Sequence, residues 1–336
     1  MDFYPKEPLV VWTGKGMYCP AGDFYIDPSH GVDTAVITHA HSDHARRGSK
    51  LYICEASGVG LTQVRLGKNI NIRGVPYREV FKLGDVTVSF HSAGHILGSS
   101  QVRIQRGSEV WVVSGDYKRD PDPSCEPFEV VKCETFITEA TFGTPKYTWE
   151  KNQDYGRQIH EWWMQNQSEG KNSILFGYSL GKAQRILAEL APHATRPIVI
   201  HPTMVDLTDC YRREGRKLAP TRVLAASELL QGQLILSPPS ILKDDFRRVL
   251  GDYKTAFASG WMQTGNEFGY GRNYDHGFVM SDHADWNDLN RTIEETGAKR
   301  VLVQHRNGKL IQHLRAKGLE ARPMESILLE STPRLL

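Results

Sequence analysis

His39-Ala40-His41-Ser42-Asp43-His44 places four potential metal ligands within six residues. It follows Val32-Asp-Thr-Ala-Val-Ile-Thr38, a β-branched apolar run of the kind that forms a buried strand. The cluster therefore sits where a strand gives way to a loop, so its side chains can converge without obeying a strand's alternation. Imidazoles suit zinc, manganese or iron, and the carboxylate adds a hard oxygen donor and negative charge. A histidine-rich surface loop is the plain alternative. It is set aside because the rest of the chain supplies partners for the cluster.

Those partners stand at the ends of other strand-like runs. His95 follows the alternating run 86–90, Asp116 ends Val112-Val-Ser-Gly-Asp116, and His305 follows Arg300-Val-Leu-Val-Gln304. Each alone reads as a hydrogen-bonded structural residue or a turn. At successive strand ends, and in this order, they read as one site.

The length of 336 residues suggests about two domains, and 40% hydrophobic with 24% charged residues is ordinary for a globular chain. The start has no basic segment followed by an apolar stretch, and no apolar run approaches spanning length, so neither secretion nor a membrane is expected. The five cysteines (Cys19, Cys54, Cys125, Cys133, Cys210) are scattered and never spaced as C-x-x-C. That argues against a disulfide framework or a cysteine-ligated zinc and fits a cytoplasmic location. A formal charge of +2 excludes no partner, so any nucleic-acid argument rests on local charge.

Residues 1–150 are strand-rich, with runs at 9–12, 24–26, 32–38, 86–90, 101–104 and 110–114 and a helix-like stretch at 57–66. From Tyr155 the texture changes. A helix at 155–167, a strand at 173–177, a helix at 181–190, a strand at 197–201, a polar helical stretch at 205–216 and strands at 233–237 and 254–258 alternate as in a small α/β domain. After a strand at 278–280, the helix 286–296 and the strand 300–303 look like a return to the first part. The expectation is one domain (1–150 and 276–336) interrupted by another (151–275).

The order His-x-His-x-Asp-His, then His, then Asp, then a late His resembles the metallo-β-lactamase superfamily. The resemblance implies an α/β (α+β) fold, an αββα sandwich with a dinuclear site at one edge. One metal would be held by His39, His41 and His95 and the other by Asp43, His44 and His305, with Asp116 bridging. It implies two divalent ions per chain, manganese or zinc, and a bridging water acidified into a hydroxide that attacks the substrate.

The interrupted layout is similar to that of the β-CASP nucleases, whose cap domain is inserted before the last metal motif. On that resemblance Glu139, in Thr135-Phe-Ile-Thr-Glu139, carries the acidic motif, and Ser281-Asp-His283-Ala-Asp285 carries the Ser-x-His-x-Asp motif. With Asp43 and Asp116, Glu139 and His283 make up the expected catalytic set. His283 is expected to contact the scissile phosphate or protonate the leaving oxygen, and Glu139 to orient a metal-ligating imidazole.

Within the insertion, Gly177-Tyr-Ser-Leu-Gly-Lys-Ala-Gln-Arg185 reads as strand, turn and helix start. Ser179, the amides near Gly181 and Lys182 there suit a phosphate, and Ser281 and Arg306 join them as expected substrate contacts. The basic run 211–217 with Arg222 suggests a backbone track for single-stranded nucleic acid.

Over nearly the whole chain the text resembles the bacterial DNA ligase-associated exonuclease family. The match is carried by Phe24-Tyr-Ile-Asp-Pro28, by Ser114-Gly-Asp-Tyr-Lys-Arg-Asp-Pro-Asp-Pro123 and by Ser281-Asp-His-Ala-Asp-Trp286. It implies a DNA exonuclease of DNA repair acting on single-stranded DNA or a free end, with an ATP-dependent DNA ligase and a helicase as functional partners. The chain departs from the family at Arg306, which follows His305 where glycine is usual. Arg306 either points away, contacts a substrate phosphate, or weakens His305 as a ligand. The segment 263–273 is also less basic than the family's. Two other readings stay open: an RNA-processing β-CASP ribonuclease and a non-catalytic nucleic-acid-binding scaffold for the ligase and helicase.

Overall fold

The computed structural model describes residues 7–243, 245–264, 274–304 and 308–328. His305, Arg306 and most of the segment 263–273 lie outside the described residues.

Six short strands open the chain: β1 (Val11–Thr13), β2 (Gly16–Cys19), β3 (Phe24–Ile26), β4 (Thr34–Val36), β5 (Leu51–Glu55) and β6 (Ile72–Val75). They pair in that order, antiparallel from β1 to β3 and parallel from β3 to β6. The helix α1 (Val59–Leu66) makes the crossover between β5 and β6. Next come β7 (Val80–Leu83), β8 (Val86–Ser92), β9 (Ser100–Arg106), β10 (Glu109–Val113) and β11 (Thr135–Thr138), which begin a second sheet.

The following stretch builds a third sheet from α2 (Tyr155–Ser168), β12 (Asn172–Phe176), α3 (Lys182–Leu190), β13 (Ile198–Ile200), α4 (Val205–Arg213), β14 (Thr221–Val223), β15 (Leu234–Ser237), β16 (Tyr253–Ala258) and β17 (His276–Phe278). Every pairing in it is parallel, in the order β14-β13-β15-β12-β16-β17. Because β17 pairs with β16, this layer extends beyond residue 275, and 276–278 is not yet part of the return. The chain then returns through α5 (Trp286–Thr296), β18 (Arg300–Val303), α6 (Gly308–Ala316) and β19 (Glu320–Pro323) to complete the second sheet, ordered β19-β18-β11-β10-β9-β8-β7.

The first two sheets face each other across a core that includes Val36, Ile53, Phe90, Ile104, Trp111 and Leu302. Leu66 of α1 packs with Ala35, Ile37 and Tyr52 on the far face of the first sheet. Leu289, Ile293, Leu310 and Leu314 of α5 and α6 cover the far face of the second. This is the αββα arrangement expected from the sequence. The third sheet is buried on both faces, as a parallel sheet must be. Leu175 packs under α2 and α3, while Ile174 and Phe176 point to the opposite cluster.

Two antiparallel pairings, β8 with β9 and β9 with β10, make β8 and β10 run the same way, and β10, β11 and β18 are mutually parallel. The C-terminal ends of β8, β10, β11 and β18 therefore lie along one edge, which is where the expected site residues emerge. Among the described residues no helix is long and apolar enough to cross a membrane. All five cysteines are buried and free.

Candidate metal centre

The tight turn after β4 brings His39 and His41 to the sheet edge. Nε2 of His39 and Nε2 of His95 each lie 3.1 Å from Nδ1 of His41. Oδ2 of Asp116 is 3.5 Å from His39, 3.9 Å from His95 and 3.3 Å from Nε2 of His44. His39, His41, His95 and Asp116 each offer one atom to a single cluster. Nitrogen donors held at about 2.0–2.1 Å from a tetrahedral ion stand about 3.3 Å apart, so the spacing of the three imidazoles fits a metal.

The turn Ser114-Gly115-Asp116 can approach this closely because residue 115 is glycine. Its φ is +55°, and a Cβ there would lie 2.8 Å from Cβ of Thr38.

Electrostatics sort the histidines. Burial and the neighbouring His44 drive His39 well below an ordinary imidazole pKa, and burial with His283 and His41 does the same to His95. Burial also lowers His41, against the pull of Asp116. All three are thus neutral, with a lone pair to donate. His44 goes the other way: burial opposes its charge, but Asp116 and Asp27 outweigh that and raise its pKa well above the usual value. Burial likewise raises the carboxyl of Asp116, yet His44 outweighs it and holds Asp116 well below the ordinary range.

Asp43 sits at the rim with its side chain 69% exposed and Oδ2 3.6 Å from Nε2 of His44. The second expected metal set of Asp43, His44 and His305 is therefore described for two members, and its third lies outside the described residues along with Arg306.

Glu139 leaves the end of β11 fully buried. Its Oε2 is 2.9 Å from Nδ1 of His283, and its Oε1 accepts the backbone N–H of Tyr117 at 2.6 Å. The imidazole that Glu139 orients is thus His283, rather than one of the clustered ligand imidazoles. Burial disfavours a charge on His283, but Glu139 and then Asp116 raise its pKa to about 9. The ring of His283 lies 4.8 Å from that of His95, next to the metal cluster.

A cleft of about 540 Å³ opens over these groups, walled on one side by the inserted layer. Ser179, Lys182 and Ser281 line it, and the φ of +85° at Gly181 shapes the turn beside it. Ser179 Oγ is 3.4 Å from Thr203 Oγ1. Ser281 Oγ accepts the N–H of His283 at 3.0 Å, closing a local turn. Lys182 is buried and its ammonium pairs with Asp282 Oδ1 at 2.8 Å, so its charge is already matched within the protein. Asp285 caps α5, accepting the N–H of Asp288. In the basic run, Arg216 pairs with Glu126, and Arg222 lies 2.8 Å from Glu228.

Two participants have no obvious sequence signature. Asp27 accepts Thr38 N–H at 2.8 Å and Thr38 Oγ–H at 2.6 Å, and its Oδ2 lies 2.7 Å from Nδ1 of His44. Its textual hint is its place in Phe24-Tyr-Ile-Asp-Pro28, a stretch that carries the family resemblance without assigning Asp27 a role. Arg65, in the last turn of α1, donates to the carbonyl of Ala40 at 3.3 Å and lines the cleft. Among the described residues it pairs with no carboxylate. Phe142 and Trp261, ring centroids 4.7 Å apart, add an aromatic wall.

No family model matches the chain. The chain is similar to a probable DNA ligase of Opitutus terrae, 31% identical over 318 residues that cover 94% of this chain and 31% of that protein. It is also similar to a ribonuclease of Thermus thermophilus, 26% identical over 217 residues that cover 55% of this chain and 49% of the relative. The chain thus spans about a third to a half of the length of these curated relatives. A crystal structure of a protein of unknown function from Enterococcus faecalis V583 aligns with a TM-score of 0.51 and 14% identity, covering 80% of this chain and 74% of that one. That likeness speaks for the fold alone.

Proposed function

We propose that this chain is a metallo-β-lactamase nuclease of the β-CASP type, a metal-dependent phosphodiesterase that removes nucleotides from a free end of single-stranded DNA. The observation that carries the reading is the convergence of His39, His41, His95 and Asp116 beneath a cleft, with the His283–Glu139 pair at their side.

His39, His41, His95 and Asp116 would hold one divalent ion, and Asp43, His44 and Asp116, with His305, a second. Zinc and manganese both suit this donor set. Such ions, when bound, lower the pKa of water toward neutrality and stabilise charge on phosphate oxygens. The chain's own residues do the rest. His283 offers a proton or a hydrogen bond to the substrate and is kept in place by Glu139. Arg65 supplies a positive charge for the nucleic-acid backbone. The inserted layer, read as a cap domain, closes one wall of the cleft.

DNA is preferred because the similarity to a probable DNA ligase runs over 94% of this chain, against 55% for the ribonuclease. A DNA ligase and a helicase are the partners we infer, and DNA repair is the setting. The ribonuclease relative favours RNA processing as the second reading.

The test is one competition assay with end-labelled single-stranded DNA and RNA of matched sequence, manganese or zinc present, and His41→Ala as control. Release of nucleotides from DNA by the wild type alone supports the proposal. Preferential release from RNA supports the second reading. Equal release by His41→Ala, or none from either strand by the wild type, would sink both.

A further inference from the structure

We infer that the inserted layer is part of the metal centre as well as a wall of the cleft, because its turn at 177–185 fixes two of the three clustered imidazoles. The inference rests on the metal reading above and concerns residues to which that reading gave no role toward the metal.

His41 presents Nδ1 to the cluster, and its other nitrogen, Nε2, lies 3.2 Å from the carbonyl of Leu180. His95 presents Nε2, and its Nδ1–H donates to the carbonyl of Asp282 at 2.6 Å. A ligand imidazole whose outer N–H is held has a fixed tautomer and a fixed ring plane. His39 finds its outer partner locally, with Nδ1 3.1 Å from Oγ1 of Thr38. For His41 and His95 the support comes from far along the chain.

The backbone that carries this carbonyl is held by α3 through its neighbours. Lys182 Nζ donates to the carbonyl of Met280 and, at 2.8 Å, to Oδ1 of Asp282. Arg185 Nη1 donates to the carbonyl of Ser281 at 2.5 Å and approaches Oδ1 of Asp282 at 3.4 Å. Lys182 and Arg185 are each 2% exposed, so solvent does not compete for these bonds. Lys182 is therefore a positioning residue for His95, and the fold uses its charge to hold the 280–282 backbone. Leu180 reaches His41 because of Gly181. A Cβ at 181 would lie 2.5 Å from Cγ2 of Ile96 at a φ of +85°, so a side chain there strains the turn and must displace either it or Ile96.

Two variants test the two arms separately on the full chain, with zinc chloride as the probe and a chelator competition as the readout. Lys182→Met keeps the bulk and removes the ammonium. Gly181→Ala strains the turn that carries the carbonyl of Leu180 and leaves Lys182 intact. Each is expected to weaken zinc binding by about 10–100-fold, while the metal-free proteins still melt cooperatively. A merely structural role would lower the metal-free melting point and leave the zinc affinity of the folded molecules unchanged. Wild-type binding matched within twofold by both folded variants would overturn this inference alone. If Lys182→Met does not fold, unchanged binding by Gly181→Ala overturns it. No zinc bound by the wild type would overturn the metal reading as well.

Discussion

Oε2 of Glu139 stands 2.9 Å from Nδ1 of His283, and the same carboxylate accepts the N–H of Tyr117, the residue after Asp116. A single buried acid thus ties the candidate proton donor to the loop that carries the central carboxylate. Its position at the end of β11, between the parallel strands β10 and β18, makes this link possible.

Removing His283 should therefore cost rate without costing metal. His283→Ala is expected to lower kcat on end-labelled DNA by about 10²–10⁴-fold. Glu139→Gln retains the shape but loses a charge-assisted hydrogen bond, worth about 10–100-fold. Metal content by elemental analysis should match the wild type in both. Wild-type turnover by His283→Ala would remove it from the reaction, and loss of bound metal would make it a ligand instead.

The support of His44 gives a prediction of the opposite kind. Asp27 and Asp116 flank this imidazole, and Asp27 also grips Thr38 through two hydrogen bonds. Asp27→Ala is expected to weaken metal binding about 10–100-fold and to regain most of the rate when metal is added in excess. A rate that stays low at saturating metal would place Asp27 in the chemistry rather than behind a ligand.

These contrasts follow how the site is written in the chain. The grouping of His39, His41, His95 and Asp116 could be read in advance because histidine and aspartate at successive strand ends are themselves the signal. Asp27 could not, since its partners lie 11 and 17 residues away and only the tertiary fold brings them to it. Lys182 illustrates a different difficulty. A lysine at a helix start after a glycine turn suits phosphate in any sequence, and only its contact with Asp282, 100 residues on, shows that its charge is matched internally. The strand β5 likewise lies outside the strand-like runs of the sequence. It ends on Glu55, which is buried because Ser57 donates to it from both its backbone and its hydroxyl. The end of the third sheet was equally hidden, since the short run His276–Phe278 shows its membership only by pairing with β16.

Arg65 lines the cleft, and the proposed function assigns it to a substrate backbone. Arg65→Ala, in metal-free protein so that no strand is cut, should weaken binding of a fluorescent single-stranded oligonucleotide. It should also reduce the slope of log affinity against log salt by about 0.7, the contribution of one phosphate contact on a single strand. Arg65→Lys should keep the slope. An unchanged slope in Arg65→Ala would mean that the guanidinium serves only the carbonyl of Ala40.

The last prediction concerns stability and pH. Asp122 has a side chain 3% exposed, accepts a hydrogen bond from Lys118 and lies 3.6 Å from Nε of Arg185 in α3, so it joins the second sheet's loops to the inserted layer. Burial raises its carboxyl, but Lys118 and Arg185 outweigh that and leave its pKa below the ordinary value. A group depressed in the folded state stabilises fully above its unfolded pKa, about 3.9 for aspartate. That contribution is lost as pH falls from there through the lower folded value. Asp122→Asn leaves two buried cations short of a partner and should cost about 3–5 kcal/mol at neutral pH. The difference should shrink as pH falls below about 4, where the unfolded wild-type chain binds a proton that the folded one still resists. Urea midpoints of the metal-free chain and its variant at neutral, mildly acidic and strongly acidic pH measure this. A gap that stays constant or widens in acid would show that Asp122 does not hold its charge against Lys118 and Arg185.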